Sequence, residues 1–152
     1  MPRIRHDHSE PSMLGLTVAA FIFDRAGRIL LIKENYDQRR YGPPGGTIEA
    51  SENPKEAVIR EVMEETGTTV NISELIGVYH FVPANREPWM TFAFRCEIES
   101  GQPNVPDSGE IAEIGWFDPR GLPSPLTNLA PYAIADALRG ACGIVPDTIE
   151  LL

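Results

Sequence analysis

Positive charge, cysteine and membrane-length apolar runs are all scarce in this chain, and each scarcity removes a class of function. Lys and Arg number 13 against 22 Asp and Glu across 152 residues, a formal net charge of −9. A surface so acidic repels polyanions, which argues against long DNA or RNA as a partner. A small phosphorylated ligand stays compatible, because a bound divalent cation reverses the field locally. The two cysteines, Cys96 and Cys142, lack metal-type spacing, so they read as unpaired thiols in a reducing, cytoplasmic setting. The apolar run from Met13 to Phe23 stops at Asp24. It is too short to span a bilayer and reads as a buried strand, so no membrane partner is expected.

Repeats and linkers are absent too. The length fits one domain, large enough to bury a core without disulfides or a structural metal. Residues 1–12, MPRIRHDHSEPS, form a polar stretch that reads as a flexible leader, with His6 and His8 as tail residues rather than metal ligands. Residues 13–142 read as the domain and 143–152 as a C-terminal tail or short edge element.

What is present is concentrated between Gly46 and Thr68, GTIEASENPKEAVIREVMEETGT. The pattern predicts loop, helix and loop. The helix runs over 54–66, with Ser51 or Asn53 as its cap, Pro54 in its first turn and Gly67 as a left-handed C-cap. At about 100° per residue, Ala57, Glu61, Glu64 and Glu65 share one arc, and Val58, Ile59, Val62 and Met63 another. One face is expected to pack and the other to present hard oxygen ligands of the kind that suit Mg²⁺ or Mn²⁺. A glutamate-rich helix face is ordinarily only a solvated face. Here the carboxylates crowd with one in-register basic neighbour, Arg60, beside a Gly45-Gly46 turn where backbone can approach a ligand.

The order G-x5-E-x7-R-E-U-x-E-E-x-G-U, with U bulky and apolar, resembles the signature of the Nudix hydrolases. Gly46, Glu52, Arg60, Glu61, Val62, Glu64, Glu65 and Gly67 fill it, and Thr68 replaces the last apolar residue. Seven fixed identities match by chance about once in 10⁸ start positions. Gly-Arg-Ile-Leu-Leu-Ile before the box and Glu-Ile-Gly-Trp-Phe-Asp after it extend the resemblance over most of the chain. It implies an α/β fold, a Nudix-type α/β/α sandwich with a mixed sheet packed between helices. It also implies a metal-dependent pyrophosphatase acting on a small nucleotide-derived substrate, with Mg²⁺ as cofactor, Mn²⁺ as a substitute and room for a homodimer.

By the same resemblance Gly46, Glu61, Glu64 and Glu65 are the metal set. Glu61, Glu64, Arg60 and Glu110 are the catalytic set, with Glu61 either a ligand or the base and Arg60 orienting carboxylates, Glu52 among them. Glu113 is a weaker alternative to Glu110. Arg39, Arg40 and Trp89 are expected at the substrate; Tyr79 and Phe81 also have rings that could stack, although strand aromatics are more often core. Pro83, sixteen residues after Gly67, resembles a proline of members acting on ADP-ribose. Gly45 stands where the diadenosine-polyphosphate branch has lysine. These clues favour a nucleoside diphosphate linked to another moiety. A nucleoside triphosphate pyrophosphatase and a non-catalytic nucleotide-sensing module are the alternatives.

Elsewhere the patterns predict strands at 14–23 and 29–33 joined as a hairpin, a charged loop at 34–41 and a short strand at 47–49. They also predict a strand at 70–82 interrupted near Ser73-Glu74, strands at 89–98 and 111–117, and a helix at 126–139.

Overall fold

The computed structural model describes residues 13–152, so the leader, His6 and His8 lie outside the described residues. The core strand is β1 (Gly15–Ile22), and its apolar run is explained by burial on both sides. Alternate residues face opposite ways. Val18, Ala20 and Ile22 join a cluster with Ala57, Val58 and Val62, while Ala19 and Phe21 join one with Ala130, Ala133 and Ile134. Those partners belong to two helices, α1 (Pro54–Thr66) and α2 (Leu129–Leu138). The sheets between them complete the α/β/α sandwich.

The main sheet has the order β4-β1-β6-β5-β8, with β4 (Gly45–Thr47), β5 (Thr69–Pro83), β6 (Trp89–Ser100) and β8 (Ile149–Leu151). It is mixed: β1 runs parallel to β6 and antiparallel to β4, and β5 runs antiparallel to β6 and parallel to β8. A second sheet, β3-β2-β7, contains β3 (Tyr41–Gly42), β2 (Ile29–Glu34) and β7 (Ile111–Phe117), all antiparallel.

Several boundaries differ from expectation. The turn after β1 forms, held by Asp24 Oδ1 accepting from the Ala26 and Arg28 N–H groups at 3.0 and 2.8 Å. The expected hairpin ladder does not: one isolated bridge, Phe23 to Ile29, joins the arms before they diverge into different sheets. Each arm finds better partners elsewhere, β6 for one and β7 for the other. The strand expected at 47–49 sits instead at Gly45–Thr47, where β1 pairs with it. The expected break near Ser73-Glu74 is a register shift within a continuous β5, a bulge that bends the strand without ending it. Helix α2 is shorter than expected because the Thr127 N–H donates to the Tyr41 carbonyl at 2.8 Å, holding the preceding chain extended. The C-terminal stretch runs along β5, with Ile144 bridged to Gly77 before β8.

The α1 face is also rotated from its expected position. Asn53 caps the helix in a reciprocal capping box with Glu56, and Gly67 ends it in the left-handed region at φ 73°. Ala57, Val58, Val62 and Thr66 are buried, whereas Ile59 and Met63 are 40% and 47% exposed. The packed stripe is centred between the two predicted arcs. That rotation turns Glu61 and Glu65 toward the protein and leaves Glu64 outward.

Candidate active site

The first turns of α1 are tied to β4 by one guanidinium. Arg60 Nε and Nη2 donate to the two oxygens of Glu52 at 3.0 and 2.6 Å, and Nη2 also donates to the Thr47 carbonyl at 3.1 Å. Its Nη1 donates to Glu61 and Glu64 at 2.9 and 3.2 Å. The Arg60 fork holds the Glu52 carboxyl below its ordinary pKa and raises its own in return. Arg60 thus hydrogen-bonds three carboxylates, those of Glu52, Glu61 and Glu64.

The glycines of β4 make a close approach available. A Cβ on Gly46 would stand 2.5 Å from the Glu61 carboxyl, and one on Gly45 would stand 2.1 Å from the Val18 carbonyl oxygen. Only bare backbone fits between β1 and α1. The Gly45 N–H donates to Glu65 at 2.7 Å. Burial pushes the Glu65 carboxyl up to about 8, opposed by that N–H and reinforced by Glu61, Glu110 and Glu64. Burial also raises Glu61, against the pull of Arg60.

These groups line a cleft of about 520 Å³. Glu61, Glu64 and Glu65 come from α1, Gly45 and Gly46 from β4, Ile111 from the start of β7, Glu110 from just before it, and Tyr36 and Ser108 from two loops. Among the described residues, no three acidic, histidine or cysteine side chains converge as a ready metal cage, and Glu61 and Glu64 turn toward Arg60. The donor set nevertheless suits a hard divalent cation. It offers carboxylate oxygens on one rigid helix, and Glu65 ionises reluctantly until positive charge arrives.

Of the residues singled out in the sequence, Gly46, Glu61, Glu64, Glu65 and Glu110 meet in the cleft. Arg60 braces it through its hydrogen bonds to Glu61 and Glu64. Glu113 does not join: it accepts from the Tyr41 hydroxyl at 3.1 Å and lies 3.9 Å from Lys33 Nζ. Arg40 pairs with Glu34 at 3.5 Å, and Arg39 is exposed with φ 53°. Neither arginine lines the cleft. Trp89 lines a separate hollow of about 590 Å³ with Thr17, Arg86 and Pro88, and Tyr79 and Phe81 are buried core residues. Sequence reasoning missed Tyr36 and Ser108. The proximity of Tyr36 to the box and of Ser108 to Glu110 was the only hint, because loop conformation decides which loop residues turn inward.

A NUDIX domain family match covers residues 13–137. The chain belongs to the Nudix hydrolases. It is 31% identical over 133 residues to a MutT-like protein of Streptomyces ambofaciens, covering 88% of this chain and 82% of that one. It is 26% identical to the phosphatase NudJ of Escherichia coli K12 over 82% of this chain and 80% of the other. The crystal structure of a MutT NUDIX hydrolase from Burkholderia pseudomallei superposes with a TM-score of 0.77 at 31% identity, covering 82% of this chain and 98% of that one. This Nudix protein is thus a hydrolase of phosphorus-containing anhydrides, in a family that generally uses divalent metal ions and small nucleotide-derived substrates. No described helix is long and apolar enough to cross a membrane.

Proposed function

We propose that this Nudix hydrolase cleaves the phosphoanhydride of a nucleoside diphosphate linked to another moiety, of the ADP-ribose or nucleotide-sugar type, with Mg²⁺ as its ion and Mn²⁺ as a substitute. The observation that carries the reading is the gathering of Glu61, Glu64, Glu65 and Glu110 around the bare backbone of Gly46. So many carboxylates in one cleft repel one another until a cation compensates them, and a diphosphate brings oxygens that share that cation.

Glu64 and Glu65 would hold the ion with the Gly46 carbonyl, and Glu61 would complete the set or act as base. When bound, the ion neutralises phosphate charge and lowers the pKa of water. The residues of this chain then have three tasks. Glu61 or Glu110 accepts the proton of the attacking water as the P–O anhydride bond breaks. Arg60 keeps Glu61 and Glu64 aimed by its hydrogen bonds. The backbone at Gly45 and Gly46 leaves space for phosphate oxygens beside α1. Arg39, with an exposed side chain near the cleft loop, is the better phosphate contact of the two adjacent arginines, since Arg40 already faces Glu34. Trp89 is a more distant candidate for substrate contact.

Two residues bear on the substrate. Pro83 ends β5 two residues beyond Phe81, and its position resembles that of ADP-ribose-specific members. Gly45, rather than lysine, argues against dinucleoside polyphosphates, and its Cβ-free backbone fits against Val18. Unpaired Cys96 and Cys142 support a reducing, cytoplasmic setting.

The test is incubation with Mg²⁺ and a panel of ADP-ribose, NADH, nucleotide sugars, dinucleoside polyphosphates and nucleoside triphosphates, with products separated chromatographically. Preferred release of AMP and ribose phosphate from ADP-ribose is expected. Preferred release of pyrophosphate from a triphosphate would replace this reading with a triphosphate pyrophosphatase. Binding without turnover, with either metal, would replace it with a sensing module.

A further inference from the structure

Among the described residues, Tyr36 is the one aromatic lining the carboxylate cleft, and it is 53% exposed. Its loop is fastened at several points. The Glu34 N–H donates to the Arg40 carbonyl and the Arg39 N–H to the Tyr36 carbonyl, both at 2.9 Å. Asp37 and Arg39 hold left-handed conformations at φ 48° and 53°, which few residues other than glycine adopt. The Asn35 N–H donates to the Glu110 carbonyl at 2.9 Å, and its side-chain amide donates to the Gly109 carbonyl at 2.8 Å. Tyr36 is therefore held at a set position beside Glu110 rather than carried on a loose loop.

The ring differs from two other partly exposed aromatics, Trp89 and Tyr41, whose faces are already matched. Trp89 stacks on Phe81 at 5.1 Å between ring centroids and has Arg86 5.0 Å from its own. Tyr41 meets Phe117 edge-on at 5.6 Å and Lys33 at 5.2 Å. Tyr36 has no such aromatic or cationic partner among the described residues. An open aromatic face in a cleft otherwise made of carboxylates, glycine backbone, Ser108 and Ile111 suits a flat uncharged ring of a ligand whose anionic part lies elsewhere in the cleft.

We propose that the Tyr36 ring is the platform on which the planar base of the substrate stacks while its diphosphate lies against the glutamates. This rests on reading the cleft as a nucleoside diphosphate site. The cleft then has a division of labour: α1 and β4 take the phosphates, and the 35–40 loop takes the base. Tyr36 is a positioning residue, since it supplies neither a ligand nor a proton acceptor.

Tyr36→Leu and Tyr36→Phe, assayed with Mg²⁺ on ADP-ribose and on phosphoribosyl pyrophosphate, which has a diphosphate but no base, test the assignment. Stacking predicts that Tyr36→Leu raises KM for ADP-ribose roughly tenfold to a hundredfold. It also predicts that kcat changes by less than about threefold and that the base-free substrate is unaffected. Tyr36→Phe should keep the wild-type KM, because the ring rather than the hydroxyl is used. An unchanged KM in Tyr36→Leu, or an equal rise for both substrates, overturns the proposal. If the wild-type protein hydrolyses neither compound, the diphosphate reading fails, and calorimetric titration with AMP decides the platform separately. Weaker AMP binding in Tyr36→Leu than in wild type and Tyr36→Phe supports it, and equal binding in all three overturns it.

Discussion

Two hollows of similar size open on different sides of the main sheet. The cleft beside α1, of about 520 Å³, is walled by four glutamates and two glycines. The hollow beside Trp89, of about 590 Å³, packs toward the α2 cluster and has Thr17, Arg86 and Pro88 in its wall. In the first, charges lack full compensation and one aromatic face is open. In the second, the aromatic ring is already matched by Phe81 and Arg86. Size does not distinguish them. Unfinished electrostatics does, because folding selects against like-charge crowding unless the crowd has a use.

The sharpest way to break this contrast is to neutralise the first hollow. Glu64→Gln or Glu65→Gln should lower turnover by roughly 10²–10⁴-fold, with unchanged far-ultraviolet circular dichroism. Full activity in both variants would leave the cleft without catalytic meaning. Arg60→Ala, which removes the brace rather than a ligand, should cost less in rate and also lower Tm.

The adjacent glycines offer a finer cut. Gly46→Ala places a methyl 2.5 Å from the Glu61 carboxyl. That side chain can swing aside, so a folded protein with a roughly tenfold to hundredfold loss of kcat is expected. Gly45→Ala meets the Val18 carbonyl oxygen at 2.1 Å. Backbone cannot swing aside, so its main effect should be a lower Tm through loss of the β1–β4 pairing. Thermal melts beside steady-state kinetics separate the two outcomes.

Glu65 predicts a dependence of stability on pH. Its carboxyl stands near 8 in the folded protein against an ordinary value of 4.5. Between those values the folded state keeps a proton that the unfolded chain has released, so raising pH favours unfolding. The metal-free protein should lose several degrees of Tm from pH 5 to 8 and level off above that. Glu65→Gln should flatten the slope. Adding Mg²⁺ should raise Tm more at pH 8 than at pH 5, because binding must displace that proton. Melts in chelator and in Mg²⁺ measure both. The smallest effect is expected in the second hollow: Trp89→Leu should lower Tm yet change KM for ADP-ribose by less than about threefold. A larger KM change would favour Trp89 as a substrate contact.

Much of this contrast was legible in the sequence, and unevenly so. The glutamates and glycines of α1 and β4 stand at fixed offsets on one helix and one short strand, so their meeting follows from local geometry. Glu110 lies 43 residues beyond Gly67, and in the sequence only the resemblance favours it over Glu113. The aromatics were harder. Tyr79, Phe81 and Trp89 alternate on strands, where a ring reads the same whether it faces core or ligand. Tyr36 lies in a stretch that reads as a charged loop. The hairpin expectation failed for a related reason: Asp24 to Arg28 encodes a turn, but no local signal states that the arms prefer β6 and β7.

The sequence alone determined the Nudix box of this protein: its carboxylates, its arginine and its capped helix, all set by spacing within a few turns of chain. Tertiary structure decided how those groups behave. The rotation of α1 buried Ala57, Val58, Val62 and Thr66 and left Ile59 and Met63 outside, and thereby drew Glu65 into a setting that keeps its proton near neutral pH. The pairing of the 35–40 loop with Gly109 and Glu110 set Tyr36 in the same cleft. Local spacing fixes which side chains share a face, but burial and long-range pairing depend on what packs against that face. Those partners lie far away in the chain.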